Sequence, residues 1–264
     1  MRNSTSSMLA LAGAAAYVLG LLALGARVAC AGAPVGRGPE AGAPPPADAG
    51  SPPPADADAT APSKTCLASL RERGVDFIEW PTKGVRTPVR LVGSNLGPLR
   101  LVILDRKPGG VMPVMDCELG RALLDAAGVF QMAGIRDLFF SGIYEYRPRR
   151  HSKKLSEHAH GLAIDVHQFG TADGRVYDVE HDFEAGVGDW SARDQVGCVG
   201  APERPEARTL RELACALRAS SAFREIITAD DNADHENHFH IESFPDPLTR
   251  ARSILSHRDP TSDD

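Results

Sequence analysis

The chain has no Cys-x-x-Cys pair, no basic excess and no internal repeat. The first absence argues against a zinc module built on thiolates. Lys and Arg number 29 against 35 Asp and Glu, a net charge of −6 with the basic residues scattered, so nothing marks a nucleic-acid footprint. Large apolar side chains are nearly missing from APVGRGPEAGAPPPADAGSPPPADADATAPS, which begins at Ala33. Such a segment buries too little surface to offset its ordering entropy, so residues 32–63 read as an extended Pro/Ala-rich linker without chemistry of its own.

One long apolar run is present, Met8 to Ala26, with Arg2 and the amino terminus ahead of it. It reads as an export signal, or as an uncleaved anchor of marginal spanning length, and Ala29, Ala31 and Ala33 offer cleavage sites. Residues 1–31 are therefore expected to be a signal peptide or membrane anchor, and the chain's only membrane contact. The expected address is the periplasm or cell envelope. A single folded domain is expected over residues 64–250, about 190 residues and ample for one core, with a tail at 251–264. Four cysteines fall in the folded part, Cys66, Cys117, Cys198 and Cys215. An even number behind an export signal predicts two disulfides. Cys66 with Cys117 and Cys198 with Cys215 is the preferred pairing, one of three that four cysteines allow.

Short strands are expected at VDFIEW, at residues 85–92 and at residues 99–104. Apolar residues at helical spacing predict a helix from Glu118 to Gly134, followed by a strand over IRDLFFSGIYEY. LAIDVHQF and RVYDVEHDF read as a hairpin turning at Asp173-Gly174. A helix should begin at Thr209 with Glu212 as its capping-box partner, and FREIIT and HFHIESF supply two last strands. The fold class is α+β, with helices packed on a small, mostly antiparallel sheet.

Nine histidines are present, and six lie in or beside two segments, SEHAHGLAID (156–165) and HENHFHIE (235–242). Side chains alternate faces along a strand, so Asp165 and His167 share one side, and His238, His240 and Glu242 share another. If the two strands are neighbours, imidazoles and a carboxylate converge on the open sheet face, and the loop before Gly161 swings His158 over Asp165. Two His and one Asp suit zinc, with a fourth position left for water, whose pKa the ion lowers. A nearby group must then move protons, and Asp234, His235, Glu236 and His238 are within reach in sequence.

SEHAHGLAID matches the Ser-x-His-x-x-Gly-x-Ala-x-Asp signature of the lysostaphin, D-Ala-D-Ala metallopeptidase and hedgehog-like group. LSEHAHGLAIDVHQF, the ADG turn and NHFHIE more closely resemble the bacterial extensin-like C-terminal domain family, from about Cys66 to Phe244. This resemblance implies a zinc peptidase or amidase that hydrolyses peptidoglycan peptides, with Zn2+ on His158, Asp165 and His240. It implies His238 as the active-site histidine, Ser156 as a residue that orients a ligand, and Arg147 as the substrate-binding arginine, with Arg149 and Arg150 as rivals. Asn237 stands where relatives place an acidic residue or histidine as general base. An amide cannot take that proton, so His238 or Glu236 inherits the role, or the domain binds wall peptides without cleaving them. Oligomeric state is not legible in the sequence.

Overall fold

A computed structural model describes residues 64–104, 110–150, 152–192 and 194–256. The expected export segment and linker, and residues 257–264 of the expected tail, lie outside them. The elements begin with α1 (Lys64–Glu72), β1 (Phe77–Glu79), β2 (Pro88–Leu91), β3 (Asn95–Leu96), β4 (Leu99–Ile103) and β5 (Met115–Asp116). Then come α2 (Cys117–Asp125), α3 (Ala127–Met132), β6 (Ile135–Gly142), β7 (Ala163–Thr171), β8 (Val176–Asp178) and α4 (Val179–Asp182). The last are α5 (Gln195–Val199), α6 (Pro205–Ala219), β9 (Phe223–Ile227), β10 (Phe239–Ser243) and α7 (Pro247–Ser256), the last helix crossing residue 250.

The α+β class is as expected, but the strands form two sheets. A three-stranded antiparallel sheet has the order β1-β2-β5. The larger sheet, seven strands among the described residues, runs β3-β4-β6-β7-β10-β9, with β8 paired to β7, and β4 pairs with β6 in parallel. Local pattern marks a strand but not its neighbours, which is why a single small sheet was expected. Disulfides join Cys66 of α1 to Cys117 of α2 and Cys198 of α5 to Cys215 of α6, the preferred pairing.

β10 lies between β7 and β9 with all five residues buried. Phe239 and Ile241 join a core that includes Phe130, Phe140, Phe169 and Leu213. The Phe239 ring lies 5.1 Å from Phe169 and meets Phe183 edge-on at 5.5 Å. Each such side chain contributes about 1.5–3 kcal/mol on burial. His240 and Glu242 are out of phase with them and stand on the opposite face. In β7, Ile164 and Val166 face the core, yet so does Phe169, which strict alternation would turn outward. Val166 pairs with Phe140 and Gln168 with Phe139, so a bulge at His167–Gln168 adds the residue that resets the pleat.

Several expected elements end or begin elsewhere, and β6 stops at Gly142, four residues short of the strand expected over IRDLFFSGIYEY. The helix predicted from Glu118 to Gly134 divides at Ala126 (ψ −1°), just before Gly128, a weak helix former. The second arm of the hairpin stops at Asp178, because its carboxylate accepts from the His181 N–H and starts α4. α6 begins at Pro205, not Thr209: proline's fixed φ suits a first turn, and the Thr209 hydroxyl donates to the Pro205 carbonyl at 3.1 Å.

Candidate metal centre

His158 is carried by a short 3-10 turn, Glu157–His160. Ser156 caps that turn, its hydroxyl accepting the His158 N–H at 3.3 Å, so it orients His158 through the backbone. Gly161 leaves the turn at φ +66°, and a Cβ there would meet the Asp116 backbone nitrogen at 2.7 Å. The glycine of the signature is thus required twice, by handedness and by close packing on β5. Antiparallel register then sets His240 directly opposite Asp165.

The three side chains converge. His158 Nε2 lies 3.2 Å from Asp165 Oδ2 and 3.2 Å from His240 Nδ1, and Asp165 Oδ1 lies 2.7 Å from His240 Nδ1. Their ligand atoms all fall within 4.8 Å of one another. Each imidazole is held from behind. His158 Nδ1 donates to the Ile143 carbonyl at 3.0 Å, which turns the Nε2 lone pair inward. His240 Nε2 donates to Glu242 Oε1 at 3.0 Å. Two inward acceptors, the His158 lone pair and the Asp165 carboxylate, therefore share one proton donor, His240 Nδ1. That donor set, with its outer nitrogens already bonded to a carbonyl and a carboxylate, fits a cation such as zinc.

The charges follow from these contacts. Burial alone would raise Asp165, but the two histidine rings beside it, with the hydrogen bond from His240, hold it far below the usual carboxylate range. Burial disfavours the His240 imidazolium, and hydrogen bonds to Asp165 and Glu242 outweigh it, pushing the ring up to about 9. His238 goes the other way: burial lowers it to about 4 against the pull of Asp165. It is therefore neutral at pH 7. Its Nδ1 donates to the Asn237 amide oxygen at 2.8 Å, and its Nε2 lies 3.5 Å from Asp165 Oδ1. Asn237, which cannot act as a base, here fixes which nitrogen of His238 is free.

Arg147 has its Nε bonded to Glu145 at 2.7 Å. Arg149 bonds Glu157 at 3.0 Å and reaches Glu242 at 3.8 Å, while Arg150 pairs with Asp234. Glu236 is exposed and makes no side-chain contact with the cluster among the described residues. Two residues were given no role from the sequence. Glu242 supports His240, and Arg224 of β9 binds both Glu242 and Glu157. The His-x-Glu spacing in β10 was the available signal for Glu242; Arg224 had none, since its partners come from across the sheet. His235 also enters, with His238 and His240 in a second trio of ligand atoms within 4.8 Å.

Residues 120–246 match the family model for the extensin-like protein C-terminus. No curated protein and no solved structure matches the chain. The extensin-like stretch starts inside α2 and carries β6, β7, β9 and β10, and with them every residue of the histidine cluster. It is narrower than the resemblance read from the sequence: α1 and the sheet β1-β2-β5 precede it.

Proposed function

We propose that this extensin-like domain is a zinc-dependent peptidase or amidase of the lysostaphin and D-Ala-D-Ala metallopeptidase type, acting on peptidoglycan peptides outside the cytoplasm. The observation that carries the reading is the convergence of His158 Nε2, Asp165 and His240 Nδ1, each ring nitrogen on the far side already bonded. Those three residues would hold the ion, which when bound would polarise a peptide carbonyl and acidify water. Neutral His238, with Nδ1 committed to Asn237, has a free Nε2 lone pair to accept a proton and return it to a leaving amine. That assignment gives His238 the role left vacant by Asn237 and leaves Glu236 outside it. The two disulfides suit an oxidising compartment. A cleaved or retained apolar leader, with the Pro-rich linker behind it, would let the domain reach a wall polymer.

A second reading has its own support. If His235 or His238 joins the three ligands, the ion has four protein donors and no open position, which is the structural form of a zinc site. The domain would then bind wall peptides without cleaving them. One experiment separates the two. Zinc stoichiometry is measured on the purified chain, the same sample is incubated with muropeptides, and products are read by mass spectrometry. One zinc with products that vanish in His238→Ala supports hydrolysis. One zinc without products, and a four-protein-ligand spectrum after cobalt substitution, selects the binder. A chain that takes up no zinc refutes both.

A further inference from the structure

A groove of about 670 Å³ runs beside the histidine cluster, between β1–β2 and the end of β6. Its inner end is Ser141–Ile143, the segment that backs the cluster. Gly142 is the register partner of Asp165, the Ile143 carbonyl accepts from His158, and Ser141 Oγ lies 2.9 Å from His167 Nε2. Toward solvent the groove is walled by Trp80, 46% exposed, and by Tyr144. A pocket of this size accommodates a short peptide.

Two cations line it. Arg90 stacks on the Trp80 ring at 3.9 Å, and its buried Nε has no hydrogen-bond partner among the described residues. The Lys83 ammonium sits 4.0 Å over the Tyr146 ring. The Tyr144 hydroxyl donates to the Lys83 carbonyl at 2.9 Å, which anchors that stretch of backbone. Neither cation meets a carboxylate among the described residues, whereas Arg147, Arg149 and Arg150 each do. In a chain of net charge −6, two such cations on one groove make it attractive to an anion. A guanidinium stacked flat on an indole keeps its donor edge aimed sideways, the geometry that receives a carboxylate.

We infer that this groove binds a carboxylate-bearing peptide segment, with Arg90 and Lys83 on its carboxylates and Trp80 and Tyr144 along its backbone, and delivers the adjoining peptide bond to the histidine cluster. The inference deepens the peptidase reading and rests on it for the peptide. Trp80 and Tyr144 supply rigid apolar walls, and the two cations supply selection for charge.

The test titrates the full chain with three soluble probes, followed by calorimetry and tryptophan fluorescence. They are L-Ala-γ-D-Glu-diaminopimelate-D-Ala, the same peptide with its carboxylates amidated, and tetra-L-glutamate. The free-acid peptide should bind about tenfold more tightly than the amidated one, and Arg90→Gln and Lys83→Gln should each weaken it about tenfold without changing zinc content. Affinity should also fall as salt rises. Equal affinity for the free and amidated peptides, or affinity unmoved by both variants, overturns the inference. If tetraglutamate binds with the same dependence on Arg90 while the wall peptide does not bind, the groove stands and the peptidoglycan reading falls.

Discussion

Glu242→Gln tests the idea that the metal centre depends on what stands behind it. Glu242 accepts from His240 Nε2 at 3.0 Å and from the Arg224 guanidinium, whose Nε lies 3.1 Å away. Glutamine keeps the shape of the side chain. It removes the negative charge, and it has one oxygen where two donors previously found two. If that oxygen stays with His240, the amide NH2 must face the Arg224 donors. His240 then becomes a weaker base and a less firmly held ligand. Loss of such an outer partner weakens metal binding by about ten- to a hundredfold, or about 1.4–2.7 kcal/mol. Stability should change less than for a fully buried orphaned charge, because the Arg224 side chain is 33% exposed and retains Glu157 at 3.0 Å. The assay is competition for zinc against a chelating dye, run beside urea unfolding of the metal-free protein. Unchanged zinc affinity in a folded Glu242→Gln variant would refute the reasoning.

Asp116 caps α2 and also accepts the Thr87 N–H at 2.9 Å, and burial pushes its carboxyl up to about 6 despite these two backbone hydrogen bonds. The folded state therefore holds a proton that the unfolded state releases between about pH 4 and 6, so this group's contribution falls as pH rises, by about 3 kcal/mol in all. Urea unfolding at pH 4, 5, 6 and 7 should show wild type losing stability relative to Asp116→Asn across that window; parallel profiles would contradict it. Arg211 is fully buried and bonds Asp230, at 2.8 Å, and the carbonyls of Glu184, Cys198 and Val199. Asp230→Ala leaves that charge unpaired and should cost about 3–5 kcal/mol, read as a shift in the denaturation midpoint. The disulfides span sequence separations of 51 and 17 residues. Loop closure then predicts a loss of about 4 kcal/mol for Cys66→Ser with Cys117→Ser and about 3 kcal/mol for the other pair, and equal losses would argue against a loop-entropy origin.

Much of the site was legible because it rests on local rules. The alternation in HFHIE put His240 and Glu242 on one face and Phe239 and Ile241 on the other, and Phe239 and Ile241 join the hydrophobic core. Ser156 and Gly161 carry their reasons in their own turn, as a cap and as a left-handed exit. The three arginines show the limit. Three arginines within four positions look alike in sequence, and the path of the chain after Gly142 sends Arg149 toward Glu157 and Glu242 while Arg147 turns to Glu145. The Phe169 reset was illegible for a similar reason, since a bulge is a mismatch between two strands and belongs to neither alone.

The order of residues thus determined the chemistry available: which donors stand on which face, where turns must open, and which cysteines exist to be joined. Tertiary structure decided which of those donors meet. Asp165 opposes His240 only through the register of β7 on β10, and His158 reaches both only because its turn packs on β5. The Glu242–Arg224 support and the stacking of Arg90 on Trp80 depend equally on neighbours brought together by the fold. Face and turn preference act over a few residues, whereas pairing, burial and charge are set by whatever the fold brings within a few ångströms.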